Sequence, residues 1–559
     1  MSRLVSILLA ALVAASTAPP AIAGGTGQAG LIHPAQRRLA RQGEVFYRSN
    51  GKRHIVVLPS LTLRSDTLAA IKGVTKYEDR SFWALLMLKD PRTRLSMLTS
   101  EKIAPAVVDY YINDLLGNRQ ARSRLTLYSA NDNHMKPLTT KLLEDKPELL
   151  ARLKLSLDAD KDAVKFVWPF VTTDKEWKLA DMLGIAVLGP GSGQTERFGT
   201  KTGSKRAFSL ARIRQPRGRT GLKSVEQVVA AVDSLVTGYR RQIRRSVALS
   251  GSLRFRRAFA RASNDPHTLG VPKNAMVKLE DGVSGNGNAV LDLRPLYSLS
   301  GKARTARIRE LLGKMKFNDE TTSWRKFAEE INSMGAIVEV FVPNEGSPSV
   351  QVMITAGGQV RVLSTHGQLF ADKDQQVYAG CHTIADAPYL KELHLAGERV
   401  GKVLAKRGVR GRFAIDFVVG RDQRGRWQAN AVEINLRSGG TTHPYEIARL
   451  LTDSSYDNKH GVLTKTTAAG KVRQVHYFAS DNFIDKAFLG MSPAQIIALA
   501  KRSGLHYDRK TETGVALHMI QTVTSVGKIG FTAIGETAAQ AKQLYQDFQR
   551  QMIELAKAR

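Results

Sequence analysis

Strands interleaved with helices predict a mixed α/β (α+β) protein of several domains. The first sign is His54-Ile55-Val56-Val57-Leu58-Pro59, an apolar run of strand length that ends in a turn. Helical and strand-like stretches then alternate at residues 84–88, 94–99, 104–116 and 179–188, closing on Gly189-Pro190-Gly191, which is the pattern of a layered sheet. Further on, two helical stretches at 304–316 and 324–334 lead into three strands in quick succession, 336–342, 350–356 and 359–364. A length of 559 residues allows three or four such domains with a large core.

Composition narrows the partners. A hydrophobic share of 43% is that of an ordinary globular chain. The single cysteine, Cys381, excludes an intramolecular disulfide and a multi-cysteine zinc site, and reads as a small buried hydrophobe. A formal charge of +33 and a pI near 10.2 imply attraction to polyanions without saying which. Basic residues are densest between Lys201 and Arg261, with Arg240, Arg241, Arg244, Arg245, Arg254, Arg256 and Arg257 among few acids. That run reads as a solvated helical face or a nucleotide-facing basic wall, with nucleic acid or an anionic membrane as the less favoured use.

Residues 1–23 read as a secretory signal: Met1-Ser2-Arg3, an apolar stretch at 4–15, and Ala21-Ile22-Ala23 as an A-x-A cleavage site. The stretch is short for a membrane span, and nothing later reaches that length. Residues 24–53 read as a loose linker, 54–199 as a first α/β domain, 200–450 as a central domain and 451–559 as a smaller α/β module. That module has strands near 472–477 and 516–522 and an amphipathic helix at 537–558.

Within the central domain, Gly199-Thr200-Lys201-Thr202-Gly203-Ser204-Lys205 pairs two lysines with a Gly-Ser. A strand, Ala275-Met276-Val277-Lys278-Leu279, carries a lysine between apolar neighbours, and Glu280-Asp281-Gly282-Val283-Ser284-Gly285-Asn286-Gly287-Asn288 follows. Alternate glycines let backbone N–H groups turn inward around phosphate, and the strand lysine adds positive charge. The spacing is neither a Walker loop nor a dinucleotide fingerprint. Glu339 lies on the next strand, Glu345 in the loop after it, and a helix at 388–407 leads to a hairpin. Its strands are Arg412-Phe413-Ala414-Ile415-Asp416-Phe417-Val418-Val419 and Ala431-Val432-Glu433-Ile434-Asn435-Leu436-Arg437. Alternation puts Glu433, Asn435 and Arg437 on one face. With the loop centred near 423–424, Asp416 is expected opposite Ala431 and diagonal to Glu433, about 7 to 8 Å away. Two carboxylates and an amide oxygen suit Mg²⁺ or Mn²⁺ and not zinc, which makes a nucleotide the implied second party.

In order, these motifs resemble the ATP-grasp superfamily. Ser284-Gly285-x-Gly287-Asn288, Leu363-Ser364-Thr365-His366, Gly411 to Phe417 and Glu433-Ile434-Asn435-Leu436-Arg437-x-Gly439-Gly440-Thr441-Thr442-His443-Pro444 are similar to pheganomycin-type peptide ligases, from about His54 onward. The resemblance implies a pre-ATP-grasp domain, two α+β subdomains sandwiching ATP, and a C-terminal module. It implies that Lys205 and Lys278 contact ATP phosphates, Lys278 also near the adenine, with Lys201 the other candidate beside Lys205. Glu339 with Val340 to Val342 would form the adenine hinge, and Glu345 would hold the ribose. Ser284, Gly285, Asn286, Gly287 and Asn288 would close over the phosphates. Asp416, Glu433 and Asn435 would hold two Mg²⁺, while Arg412 and Arg437, with Lys278, would act on the carboxylate or its acyl phosphate. The implied activity is ATP-dependent joining of a small-molecule or peptide carboxylate to an amine. The alternatives are a non-ligating nucleotide binder and a polyanion binder. His443, before a proline in a turn, reads as structural.

Overall fold

Apolar β-branched runs buried on both faces favour parallel pairing under helices, and the first unit is built that way. Its strands β1 (Arg53–Leu58), β2 (Thr93–Thr99), β3 (Leu125–Ser129), β4 (Val164–Pro169) and β5 (Ala186–Val187) form one parallel sheet in the order β3-β2-β1-β4-β5. In this computed structural model the described residues are 51–62, 74–191, 193–249 (backbone alone at 242–249), 271–280, 287–317, 322–342, 344–371, 378–422 and 424–559. The signal-like segment 1–23, most of the 24–53 linker, Ser284, Gly285 and Asn286, and Arg254, Arg256 and Arg257 lie outside them. Among the described residues no helix is long and apolar enough to cross a membrane.

The central segment folds as two antiparallel sheets. β6 (Gly218–Leu222), β7 (Asn274–Leu279), β8 (Asn288–Asp292), β9 (Lys316–Phe317) and β10 (Ala336–Val340) order as β6-β10-β7-β8-β9. Their apolar side chains meet Val228, Val229, Val232 and Val236 of a long helix, Val225–Leu249, in a core of their own. The chain then crosses at 341–347 into a larger sheet. Here β11 (Pro348–Ile354), β12 (Val360–Phe370), β13 (Tyr378–Thr383), β14 (Gly411–Arg421) and β15 (Trp427–Asn435) stand in the order β15-β14-β11-β12-β13.

The chain beyond 451 continues that sheet. β16 (Ser455–Asp457), β17 (Val462–Thr466), β18 (Val472–Ile484), β19 (Gly514–His518) and β20 (Lys528–Gly535) attach through β18, which pairs with β13 at Gly380, Cys381 and His382. Its core also merges with the first unit: the Tyr111 hydroxyl donates to the Leu517 carbonyl at 3.4 Å, and Leu517 N–H donates to the Tyr110 hydroxyl at 2.8 Å. The module expected at 451–559 therefore shares a sheet with the segment before it and an apolar core with residues 82–121. Cys381 is fully buried here, as its reading as a hydrophobe requires.

Candidate active site

The site is organised by one short helix, α1 (Lys201–Ala211), that touches both antiparallel sheets. Its start is set by Thr200, whose hydroxyl accepts from the Gly203 N–H at 3.0 Å, an N-cap that satisfies an otherwise orphan donor. Gly203 sits where α1 crowds the preceding turn, and a Cβ there would fall 2.3 Å from the Arg197 carbonyl oxygen. Glu280, one residue past β7, accepts from Thr202 N–H at 2.9 Å, and the Ser204 hydroxyl accepts from Ile434 N–H of β15 at 2.9 Å. The helix is thus pinned to one sheet at its first turn and to the other just beyond.

Residues four apart share a helix face, so Lys201 and Lys205 point the same way. Lys201 Nζ lies 3.1 Å from Glu433 Oε1 on β15, whereas Lys205 pairs with Glu339 on β10 and donates to the Pro216 carbonyl at 2.8 Å. In the β7–β10 register Lys278 stands opposite Ile337, hence diagonal to Glu339 on the same face, and its Nζ is 2.6 Å from Glu339 Oε1. Glu339 is buried; burial pushes its carboxyl up, but the two lysines together hold it below the usual carboxylate value. Burial in turn holds the Lys205 ammonium below its ordinary value despite Glu339.

The hairpin departs from the expected register. The turn is centred one half-residue later, with Arg421 opposite Trp427, and a bulge at Val432 adds another step, so Asp416 faces Glu433 directly and Phe417 faces Ala431. The correction tightens the cluster. Asn435 Nδ2 donates to Asp416 Oδ2 at 2.7 Å, Gln368 Nε2 donates to Asp416 Oδ1 at 3.1 Å, and Arg437 Nη2 donates to Asn435 Oδ1 at 3.1 Å. Burial, reinforced by the neighbouring Glu433 charge, raises Asp416 to about 7 against the opposing pull of Arg437 and its two amide donors. Burial likewise brings Arg437 down to about 10, with Glu433 and Asp416 resisting.

The other expected residues are spread around this core. Val340 ends β10, its N–H donating to the Arg217 carbonyl at 2.8 Å, and Val342 lies in the crossover between the two sheets. Glu345 is exposed; its Oε1 accepts from Arg421 N–H at 2.8 Å. Gly287, with φ of 86°, and Asn288, paired with Lys278, form the described end of the glycine loop. Arg412 is buried in a different network: it pairs with Glu446, donates to Gln351 Oε1 at 3.3 Å and lies 5.8 Å from the Tyr445 ring centroid. Its partners are thus Gln351, Glu446 and Tyr445, and not the Asp416 cluster. Lys201, weighed in the sequence but passed over for Lys205, is the lysine that reaches the acids of the hairpin, and helical spacing was the available signal.

Comparison with known proteins adds lineage to this geometry. A family profile described as "IQCH-like, ATP-grasp" matches residues 307–459, and one described as "PGM1 C-terminal domain" matches 495–547. The L-propargylglycine–L-glutamate ligase of Streptantibioticus cattleyicolor is 28% identical over 476 residues, 82% of this chain and 86% of that protein. The IQ motif-containing protein H of Danio rerio is 21% identical over 531 residues, 86% of this chain and 47% of that protein. Among solved structures, a biotin carboxylase from Campylobacter jejuni is 11% identical with a TM-score of 0.49, covering 90% of this chain and 95% of that one. An ADP complex of N5-carboxyaminoimidazole ribonucleotide synthetase is 12% identical with a TM-score of 0.45, covering 91% and 98%. In its ordered motifs, its two antiparallel sheets and these sequence relatives, the chain resembles the ATP-grasp superfamily and, within it, the pheganomycin-type peptide ligases.

Proposed function

We propose that this ATP-dependent ligase joins a carboxylate to an amine through an acyl phosphate, releasing ADP and phosphate. The observation that carries the reading is an unbroken series of contacts across both sheets: Lys278 to Glu339, Glu339 to Lys205, one helical turn to Lys201, then Glu433, Asp416, Asn435 and Arg437. Three lysines and four oxygen donors lie along it, with Arg437 at its far end. The Streptantibioticus relative, a ligase of two amino acids by its name, supports the same class.

A substrate carboxylate oxygen attacks the γ-phosphorus of ATP and ADP leaves; the amine then attacks the acyl carbon, and phosphate leaves with the bonding pair. The first step spreads negative charge over phosphoryl oxygens, so Lys201, Lys205 and Lys278 contribute by position and charge, and Arg437 by its guanidinium beside the hairpin acids. Asp416, Glu433 and Asn435 fit Mg²⁺ or Mn²⁺: three oxygen ligands on one face, with Asp416 raised to about 7 partly by an adjacent carboxylate whose repulsion a hard cation would relieve. Such an ion supplies charge neutralisation at the phosphates when bound. In this reading Val340, Val342 and Glu345 would hold the base and ribose, and Ser284, Gly285, Asn286, Gly287 and Asn288 would supply a cover that keeps water from a hydrolysable intermediate.

The non-ligating and polyanion-binding readings gain no support from the described part of the basic run, where Lys201 and Lys205 face Glu433 and Glu339. The test is ADP release with amino acids and short peptides offered as paired acid and amine, products being identified by mass spectrometry. ATP binding with no ADP release from any pair would sink the ligase reading.

A further inference from the structure

A cavity of about 660 Å³ lies between the first unit and the larger antiparallel sheet, inside the range of about 300–1,000 Å³ that small-ligand sites occupy. One wall is built by Arg53 of β1, by Asp90 and Arg92, and by the end of the helical segment Val74–Lys89. The other is built by Met353 of β11, Leu363 of β12, Arg412 of β14 and the helix Thr442–Thr452. Among the described residues that line it there is none of the lysines or hairpin acids of the candidate active site.

Charge in this cavity is out of balance. Glu446 pairs with Arg412 and accepts from Arg449 Nη2 at 2.7 Å, while Asp90 pairs with Arg53 and accepts from Arg92 Nη2 at 2.9 Å, so on each wall one carboxylate serves two guanidiniums. Lys89 meets Asp453 at 2.6 Å, and Arg361 of β12 brings the lining to six cations against three acids. Burial pushes the Glu446 carboxyl up, but Arg449 and Arg412 hold it below its ordinary value, so it stays charged. Arg412 is 6% exposed, and its Nε–H has no hydrogen-bond partner among the described residues. It is a donor the fold leaves unused, on a side chain that lines the cavity. Leu86, Met87, Met353, Leu363 and Leu450 supply apolar lining beside these ionic groups.

We propose that this cavity binds a small molecule with two anionic groups, carboxylate or phosphate, joined by an apolar stem, one group meeting Arg412 and Arg449 and the other Arg53 and Arg92. Planar guanidiniums suit either anion through paired N–H donors, and a lining richer in cations than in acids repels an ammonium. A ligand with one anionic group answers one wall and leaves the surplus on the other unmet. The site is separate from the nucleotide site, and its assignment does not rest on the ligase reading.

Titration calorimetry on the full chain, with α,ω-dicarboxylates from succinate to sebacate, is expected to find one that binds at least about tenfold more tightly than octanoate, which carries a single carboxylate. The alkane bisphosphate of matching length tells which anion the cavity prefers, and tight binding of either supports the site. Arg449→Gln and Arg92→Gln should each weaken that binding by about tenfold or more; each leaves its shared acid with the other arginine, which preserves the wall. Asp90→Asn should tighten it about twofold to fivefold, a gain that a damaged fold does not produce. None of these ligands should displace a fluorescent nucleotide. The assignment is overturned if no dianion binds, if octanoate binds as well as every dianion, if the three substitutions change nothing, or if the dianions compete with nucleotide.

Discussion

Glu339 is the residue on which the lysine half of the proposed site balances. It is 2% exposed and answers one buried and one half-buried ammonium group at once, so its loss leaves positive charge in a place with little water. Breaking a buried pair from one side costs about 3–5 kcal/mol. Glu339→Gln should lower the urea-unfolding free energy by that order, whereas Lys278→Ala, at a partly exposed position, should cost less than half as much. In activity the order reverses in kind: Lys278→Ala and Glu433→Gln should each lose at least about 100-fold of amine-dependent ADP release with the circular dichroism spectrum preserved. Full activity in either would remove that residue from the site. The acids at 416 and 433 were legible because alternation along a strand is a local rule. The partner of Arg412 was not: Glu446 lies 34 residues on, in a helix that only the packed fold brings to it.

At the scale of elements, α1 works as a strut between sheets, and its position depends on a glycine with no room for a side chain. Gly203→Ala would put a carbon 2.3 Å from the Arg197 carbonyl, which forces the helix off the turn and carries Lys201 and Lys205 with it. The expected outcome is a loss of ATP affinity of about tenfold or more, read by displacement of a fluorescent nucleotide. Ser204→Ala, which deletes only the bond to Ile434, should cost threefold or less. Equal effects would mean that α1 is not held by that crowding. The strands at 336–340 and 411–421 and the helix at 538–557 followed from periodicity alone. The bulge at Val432 did not, since a ladder interruption leaves no mark in an alternating pattern. β3 and β4 escaped for a related reason: Leu125–Ser129 and Val164–Pro169 are short, and their half-buried polar residues blur the apolar signal.

At the scale of the molecule, the first unit and the C-terminal strands are joined through buried acids that strand patterns do not reveal. Glu78 and Asp79 sit side by side in the helical segment Val74–Lys89, where it bridges the parallel sheet and the chain around 521. Glu78 accepts from Ser100 N–H at 2.6 Å and from its hydroxyl at 2.7 Å, and Asp79 accepts from Gln521 N–H at 2.7 Å. Burial outweighs these bonds and raises each carboxyl to about 7. In the unfolded chain both would titrate near 4, so between about pH 4 and 7 the folded state keeps protons that the unfolded state has released. Stability is therefore full below that window, falls as the pH rises through it, and levels off above. Each group contributes on the order of 3 kcal/mol to that fall. Urea unfolding is expected to give a lower midpoint at pH 7.5 than at pH 5, and Glu78→Gln, neutral at every pH, should remove roughly half of the slope. A profile that stays the same in Glu78→Gln/Asp79→Asn would place the pH dependence elsewhere.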